Sequence, residues 1–307
     1  MEPFRKRLRQ WLTLIGLSAV LLLAGCSREQ YVVLDPKGPI AKQQYDLIVW
    51  SFGLMLIIVL AVFGIFAYVI IKYRAKPENK GYEPPDQEGS KLLETVWTLI
   101  PIVVVIALAV PTVKATYGLE KQPSSDKPPI TIKVTSADWK WIFRYPKEGI
   151  ETVNYVTIPA DTPVNFEMDA VGPMNSFWVP SLGGQEYTMP GMVMHLWLQA
   201  DQPGVYQGRS ANFSGKYFTH MTFDVIAKSP ADYDKWVQQV KKTAPKQTEE
   251  QYLQLLERGL AKKMTFSSYP KIADQAGLIG EVKGIRDKMN GPKEPDTGTM
   301  HHHHHAH

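Results

Sequence analysis

One cysteine is all that the sequence contains, and it stands near the start, at Cys26. No disulfide can therefore close within the chain, and a cysteine-based zinc site is excluded. Histidine is nearly as scarce: outside the terminal run His301–His305 and His307, only His195 and His220 occur. Charge of one sign is lacking too. The formal net charge is +4 over 307 residues. Lysine is spread along the chain without a basic, aromatic-interleaved stripe, which argues against nucleic acid as a partner. Two stretches hold no charge at all, 47–71 and 96–113. Each is long enough to cross a hydrocarbon layer about 30 Å thick.

The scarce residue falls at a telling place. Arg5, Lys6, Arg7 and Arg9 precede an apolar run from Trp11 to Leu22, and Leu23-Ala24-Gly25-Cys26 follows. This reads as a lipoprotein signal peptide over 1–25, with Cys26 as the thiol that takes the lipid, an acyl anchor such as palmitate included. An uncleaved signal anchor is the alternative. Residues 26–46 then form an external segment, and 47–71 and 96–113 are the two expected transmembrane helices. Tyr45, Trp50, Tyr68 and Tyr73 sit where interface belts lie. The connection 72–95 carries Lys72, Arg74, Lys76 and Lys80, so the positive-inside rule puts it in the cytoplasm. A lipid-bearing Cys26 must lie outside, and both signals give one out-in-out hairpin.

Beyond a polar linker, 114–129, the period changes. Thr131–Thr135, Tyr155–Ala160, Val164–Met168, His195–Ala200 and Met221–Val225 read as short strands between Gly, Pro, Asn and Asp turns. Such spacing predicts a β-sandwich or barrel over 130–228. Residues 229–290 read as a helical extension, with Trp236, Val240, Tyr252, Leu255, Leu256 and Leu260 as apolar marks. The tail 291–307 is Pro-, Gly- and His-rich and expected to be disordered. Its histidines suit metal binding or an expression tag alike, and no function is assigned to them.

Four stretches carry a resemblance. Glu94, Trp97, Thr98 and Pro101 match E-x-x-W-T-x-x-P. Asp138-Trp139-Lys140-Trp141 is an aromatic D-W-K-W stretch. Asn175-Ser176-Phe177-Trp178-Val179-Pro180 and Ser210 to Met221 fall where two halves of a copper site would fall. In this order they resemble subunit II of the haem–copper oxidases. Where that family's dinuclear copper loop reads C-x-E-x-C-G-x-x-H-x-x-M, this chain has Ser210, Asn212, Ser214, Gly215, Phe218 and Met221. The upstream histidine ligand is replaced by Asn175. Copper there needs soft thiolate and imidazole ligands. Serine hydroxyls cannot bridge two copper ions, and one thioether cannot hold them.

The coordinated loss of ligands is similar to the quinol-oxidising branch, of the cytochrome aa3 or bo type. The resemblance implies a membrane α plus β fold: a two-helix transmembrane hairpin, a cupredoxin-like β-sandwich and a C-terminal helical extension. It implies no catalytic residue, metal or redox cofactor in this chain. Haem and copper would belong to the partner subunit I, which the complex would complete with subunits III and IV, membrane lipid and no cytochrome c. Quinol, menaquinol or ubiquinol, would be the substrate, met through subunit I in a bacterial plasma membrane, with oxygen reduced to water and protons pumped. Glu94 corresponds to a glutamate at the mouth of a proton channel of subunit I. From the residues alone the favoured reading is a headgroup-level carboxylate neutralised by Lys91 at i−3, and only the motif match brings the two readings level. Trp139 and Trp141, two apart, read as strand packing. A copper-bearing electron-transfer subunit is disfavoured by the absent thiolates. A free-standing lipoprotein with a binding β-domain is disfavoured by the hairpin.

Overall fold

The computed structural model describes residues 31–74, 89–123 and 127–275. The segment 1–25 read as a signal peptide, Cys26, most of the 72–95 connection and the His-rich tail lie outside these. The described chain falls into two compact units.

The first unit holds two long helices, α1 (Pro39–Tyr73) and α2 (Lys91–Leu119). At about 1.5 Å per residue, 35 and 29 residues exceed the thickness of a hydrocarbon layer. Both helices start earlier than the apolar spans. In α1, Gly38 caps and Pro39 takes the first turn, where a missing N–H costs nothing. The polar turn Lys42-Gln43-Gln44 thus stays helical ahead of the span. Residues 114–119, read as linker, continue α2. The start of α1 is fastened within its own unit. Lys37 N–H donates to the Ser181 carbonyl at 2.8 Å and Ala41 N–H to Leu182 at 3.2 Å. A Cβ on Gly38 would lie 2.0 Å from the Gln199 carbonyl oxygen, so only glycine fits there.

Pro101 and Pro111 lie inside α2. A proline in a helix frees the carbonyl four residues back. For Pro111 that is Ala107, and its oxygen accepts the indole N–H of Trp50 from α1 at 3.2 Å. A group that lipid could not satisfy is satisfied by the neighbouring helix.

The second unit is a two-layer sandwich. Its first sheet holds six strands in the order β11-β3-β2-β1-β5-β8, and its second five in the order β4-β10-β9-β6-β7. The strands are β1 (Ile130–Ala137), β2 (Lys140–Tyr145), β3 (Ile150–Val153), β4 (Tyr155–Pro159), β5 (Val164–Val171), β6 (Asn175–Trp178), β7 (Gln185–Thr188), β8 (Met194–Leu198), β9 (Gly204–Ser210), β10 (Thr222–Lys228) and β11 (Met264–Phe266). Period-two alternation sends Trp141, Phe143 and Tyr145 of β2 to one face and Ile142 and Arg144 to the other. Between the layers Phe177 stacks on Phe223 at 4.7 Å, with Trp141 edge-on to both at 5.3 and 5.5 Å.

The extension after 229 is not purely helical. Two helices, α3 (Pro230–Thr243) and α4 (Glu249–Leu256), are followed by β11, which pairs antiparallel with β3. Ser229 caps α3, and Thr248 with Gln251 closes a capping box on α4. The extension lies over the outer face of the first sheet. Tyr252, Leu255, Leu256 and Phe266 form a second core there with Ala137, Ile142, Val153 and Val171.

Candidate functional site

The loop 211–221 joins β9 to β10 at one end of the sandwich, and backbone contacts fix its shape. Ser210 N–H donates to the Met221 carbonyl at 2.9 Å, pinching the loop shut, and Ala211 N–H donates to Ser176 of β6 at 3.1 Å. The Trp141 indole donates to the same Met221 carbonyl at 3.3 Å. Gly215 has φ +116, a conformation that side-chain-bearing residues rarely adopt, and a Cβ there would meet the Trp139 ring at 3.1 Å. A single 3-10 turn, Phe218–His220, leads back to the strand.

The positions read as emptied ligand sites are placed as follows. Asn175 is fully buried on β6. Its amide N–H donates to Pro173 O at 3.0 Å and Ser136 Oγ at 3.4 Å. Ser210 Oγ donates to the Asn212 carbonyl at 3.2 Å, and Asn212 Nδ2 donates to Met174 O at 3.3 Å. Ser214 Oγ is buried and meets no hydrogen-bond partner among the described residues. Met221 is fully buried. Phe218 turns to Phe213, with ring centroids 4.9 Å apart. Three of these side chains are thus committed to the protein's own carbonyls and one to an aromatic contact. Two hydroxyls, two amides, a phenyl ring and a thioether stand at these six positions, with no thiolate and no imidazole among them. Among the described residues no group of three or more His, Cys, Asp or Glu could hold a metal ion. His195 is exposed on β8, and His220 ends the 3-10 turn beside Thr219 and Tyr217.

Trp139 departs from expectation. It is no strand residue but occupies the β1–β2 turn with φ +68, unusual for a bulky side chain. Its ring is buried, edge-on to Tyr217 at 5.1 Å and beneath the Arg258 guanidinium at 5.2 Å. Arg258 also reaches Asp138 at 3.4 Å, and Lys140 donates to the Glu257 carbonyl. Burial lowers the Lys140 pKa to about 8, against the pull of Asp138 and Glu257. Burial raises that of Asp138, against Arg258 and Lys140. The residue after α4 and its neighbour therefore hold the D-W-K-W turn. No pattern in the sequence marked Glu257 or Arg258.

Glu94 lies in the first turn of α2 and is exposed. Its N–H donates to Ser90 O at 3.0 Å, and Thr98 Oγ1 donates to the Glu94 carbonyl at 2.7 Å. A carboxylate there faces the positive end of the helix dipole.

Residues 27–115 match the family model of the cytochrome c oxidase subunit II transmembrane domain, and residues 146–228 that of its periplasmic domain. The quinol oxidase subunit 2 of Bacillus anthracis is 57% identical over 259 residues, 84% of this chain and 89% of that protein. The quinol oxidase subunit 2 of Bacillus subtilis is 47% identical over 266 residues, 86% of this chain and 82% of that protein. Among solved structures, the periplasmic domain of subunit II of cytochrome oxidase from Bradyrhizobium japonicum aligns with a TM-score of 0.36 at 22% identity. The alignment covers 39% of this chain and 96% of that one.

Proposed function

The chain belongs to the cytochrome c oxidase subunit II family, as a subunit II of a quinol oxidase, and from that premise we propose that it works without copper. In this reading it anchors and caps subunit I, which carries the haems, the copper of the oxygen site and the quinol site. The complex oxidises quinol, reduces oxygen to water and pumps protons. Quinol delivers electrons from within the bilayer, so a copper relay on the water side is unnecessary. The observation that carries the reading is the donor set at the loop: Ser210 and Ser214 in place of thiolates, with Ser210 bonded to a carbonyl of its own loop. The loop then serves as shape, bracing the end of the sandwich, and cytochrome c has no role.

The proposal extends to Cys26 as the lipid anchor, to the β-unit on the outer face of a bacterial plasma membrane, and to subunits III and IV as further partners. An optical spectrum and metal analysis of the complex purified through this chain test it. The expected result is haem bands, copper confined to subunit I, and no near-infrared band of a dinuclear copper centre. That band, with its extra copper, would refute the reading.

Glu94 is proposed to stand at the entrance of a proton path into subunit I. Its support is an exposed carboxylate in the first turn of a helix long and apolar enough to cross a membrane, at the end that the positive-inside rule assigns to the cytoplasm. Glu94→Ala is expected to slow turnover about tenfold while assembly stays normal, since general proton-transfer groups contribute on the order of 10²–10⁴ and a channel mouth is partly bypassed by water. Unchanged turnover in a normally assembled variant would remove Glu94 from the path.

A further inference from the structure

Glu151 is a carboxyl group with no place in the reading above. It sits on β3, fully buried, opposite Arg144 of β2 in the strand register. The extension closes over it. Gln247, in the connection between α3 and α4, is itself buried, and its Nε2 donates to Glu151 Oε1 at 2.6 Å. The other half of each group is unanswered. Glu151 Oε2 and Gln247 Oε1 are both buried and without a hydrogen-bond partner among the described residues. Two acceptors cannot satisfy each other, and a buried, unpaired acceptor is costly.

One proton resolves both. Placed on Glu151 Oε2, it makes that atom a donor to Gln247 Oε1, and a carboxylic acid and a primary amide then complement each other. We infer that Glu151 is held as the neutral acid in a two-hydrogen-bond ring with Gln247, a clasp that fastens the C-terminal extension to the sandwich and loosens when Glu151 ionises.

Arg144 faces Glu151 from β2 and favours its ionised form. Its Nη2 donates to Thr135 Oγ1 at 2.5 Å and lies 3.8 Å from the Asp169 carboxylate on β5, while its Nε and Nη1 are buried without a hydrogen-bond partner among the described residues and no salt bridge joins it to Glu151 there. From β11 the partner of Glu151 is Phe266, which brings no charge. Lys246 flanks Gln247 but is exposed. Burial outweighs Arg144 and Gln247 and lifts the Glu151 pKa to about 7. A raised folded-state value means that the clasp's contribution is complete below the ordinary glutamate range. It declines as pH rises and is gone above about 7. On the outer face of a respiring membrane, acidification would tighten the clasp.

The test is hydrogen exchange on the full chain in its purified complex, corrected for the pH dependence of intrinsic exchange and read over 245–275. Protection of the wild type should fall roughly tenfold between pH 6 and pH 8, as linkage through the raised pKa requires. Glu151→Gln supplies a permanent N–H toward Gln247 Oε1. It should hold the pH 6 protection at both values. Gln247→Leu should lose that protection at pH 6. A wild type with protection independent of pH would overturn the inference. So would an E151Q chain that is unprotected or unfolded at both pH values, because the carboxylate would then be the form the fold needs.

Discussion

Leu256→Ala is expected to lower the stability of the β-unit by roughly 2–5 kcal/mol, the range for a large side chain removed from a well-packed core. Leu256 is fully exposed to neither solvent nor lipid: it is buried completely, between Tyr252 and Leu255 of its own helix and Ile142 and Val153 of the first sheet. A marginally stable unit with roughly 5–15 kcal/mol in all loses a large share of it through this one change. Leu260, four residues on, is half exposed, and Leu260→Ala should stay within about 0.5 kcal/mol. Ending the chain after Thr243 is the extreme case. It would uncover β3 as an open sheet edge, expose Ala137, Ile142 and Val153, and strip Lys140, Asn154 and Glu151 of their partners at Glu257, Ala261 and Gln247. Pulse proteolysis of the full-length variants in the assembled complex checks the series. Equal resistance of Leu256→Ala and Leu260→Ala would show that the extension is not part of the core.

How much of this was legible in the sequence depended on how local its cause is. The two spans needed only an unbroken absence of charge. Strands β5 and β10 alternate between buried and part-exposed residues along their length, so the period-two pattern exposed them. The shape of the loop 211–221 rests largely on contacts close in the chain, such as Ser210 N–H to Met221 O. What failed was set from far away in the chain. β11 is three residues long and exists because β3 offers an edge. Arg144 and Glu151 follow the outward positions of their strands, where charged residues normally meet water. They are buried because the extension covers that face. Trp139 looked like half of a strand pair, yet its positive φ is held by Arg258, Tyr217 and Gly215. An expectation of strand packing had no access to those partners. The same holds for the first turns of α1, whose anchors at Ser181, Leu182 and Gln199 lie in another part of the sequence.

Putting the ligands back should bring the metal back. With Asn175→His, Ser210→Cys, Asn212→Glu, Ser214→Cys and Phe218→His introduced together, and Met221 kept, the chain is expected to take up copper and to show the near-infrared band that the parent is expected to lack. The expectation rests on what holds the loop. The bonds Ser210 N–H to Met221 O, Ala211 N–H to Ser176 O and Trp141 indole to Met221 O are backbone or distal contacts that none of the five changes touches. Gly215 keeps its positive φ. The frame is therefore present before the ligands are. Costs fall at two positions. An imidazole is larger than the fully buried Asn175 side chain beside Ser136 and Pro173, and Phe218→His forfeits the contact with Phe213. Each is of order 1–3 kcal/mol, small beside the roughly 10–16 kcal/mol that structural zinc contributes in zinc-finger peptides. Changing the two serines alone should give thiolates without the imidazoles, and weaker, heterogeneous copper uptake. On the proposed function, quinol turnover should be unaffected in either variant, since electrons would enter from the membrane side. A folded five-fold variant that binds no copper under reducing reconstitution would mean that the loop has lost the geometry of a metal site as well as its ligands.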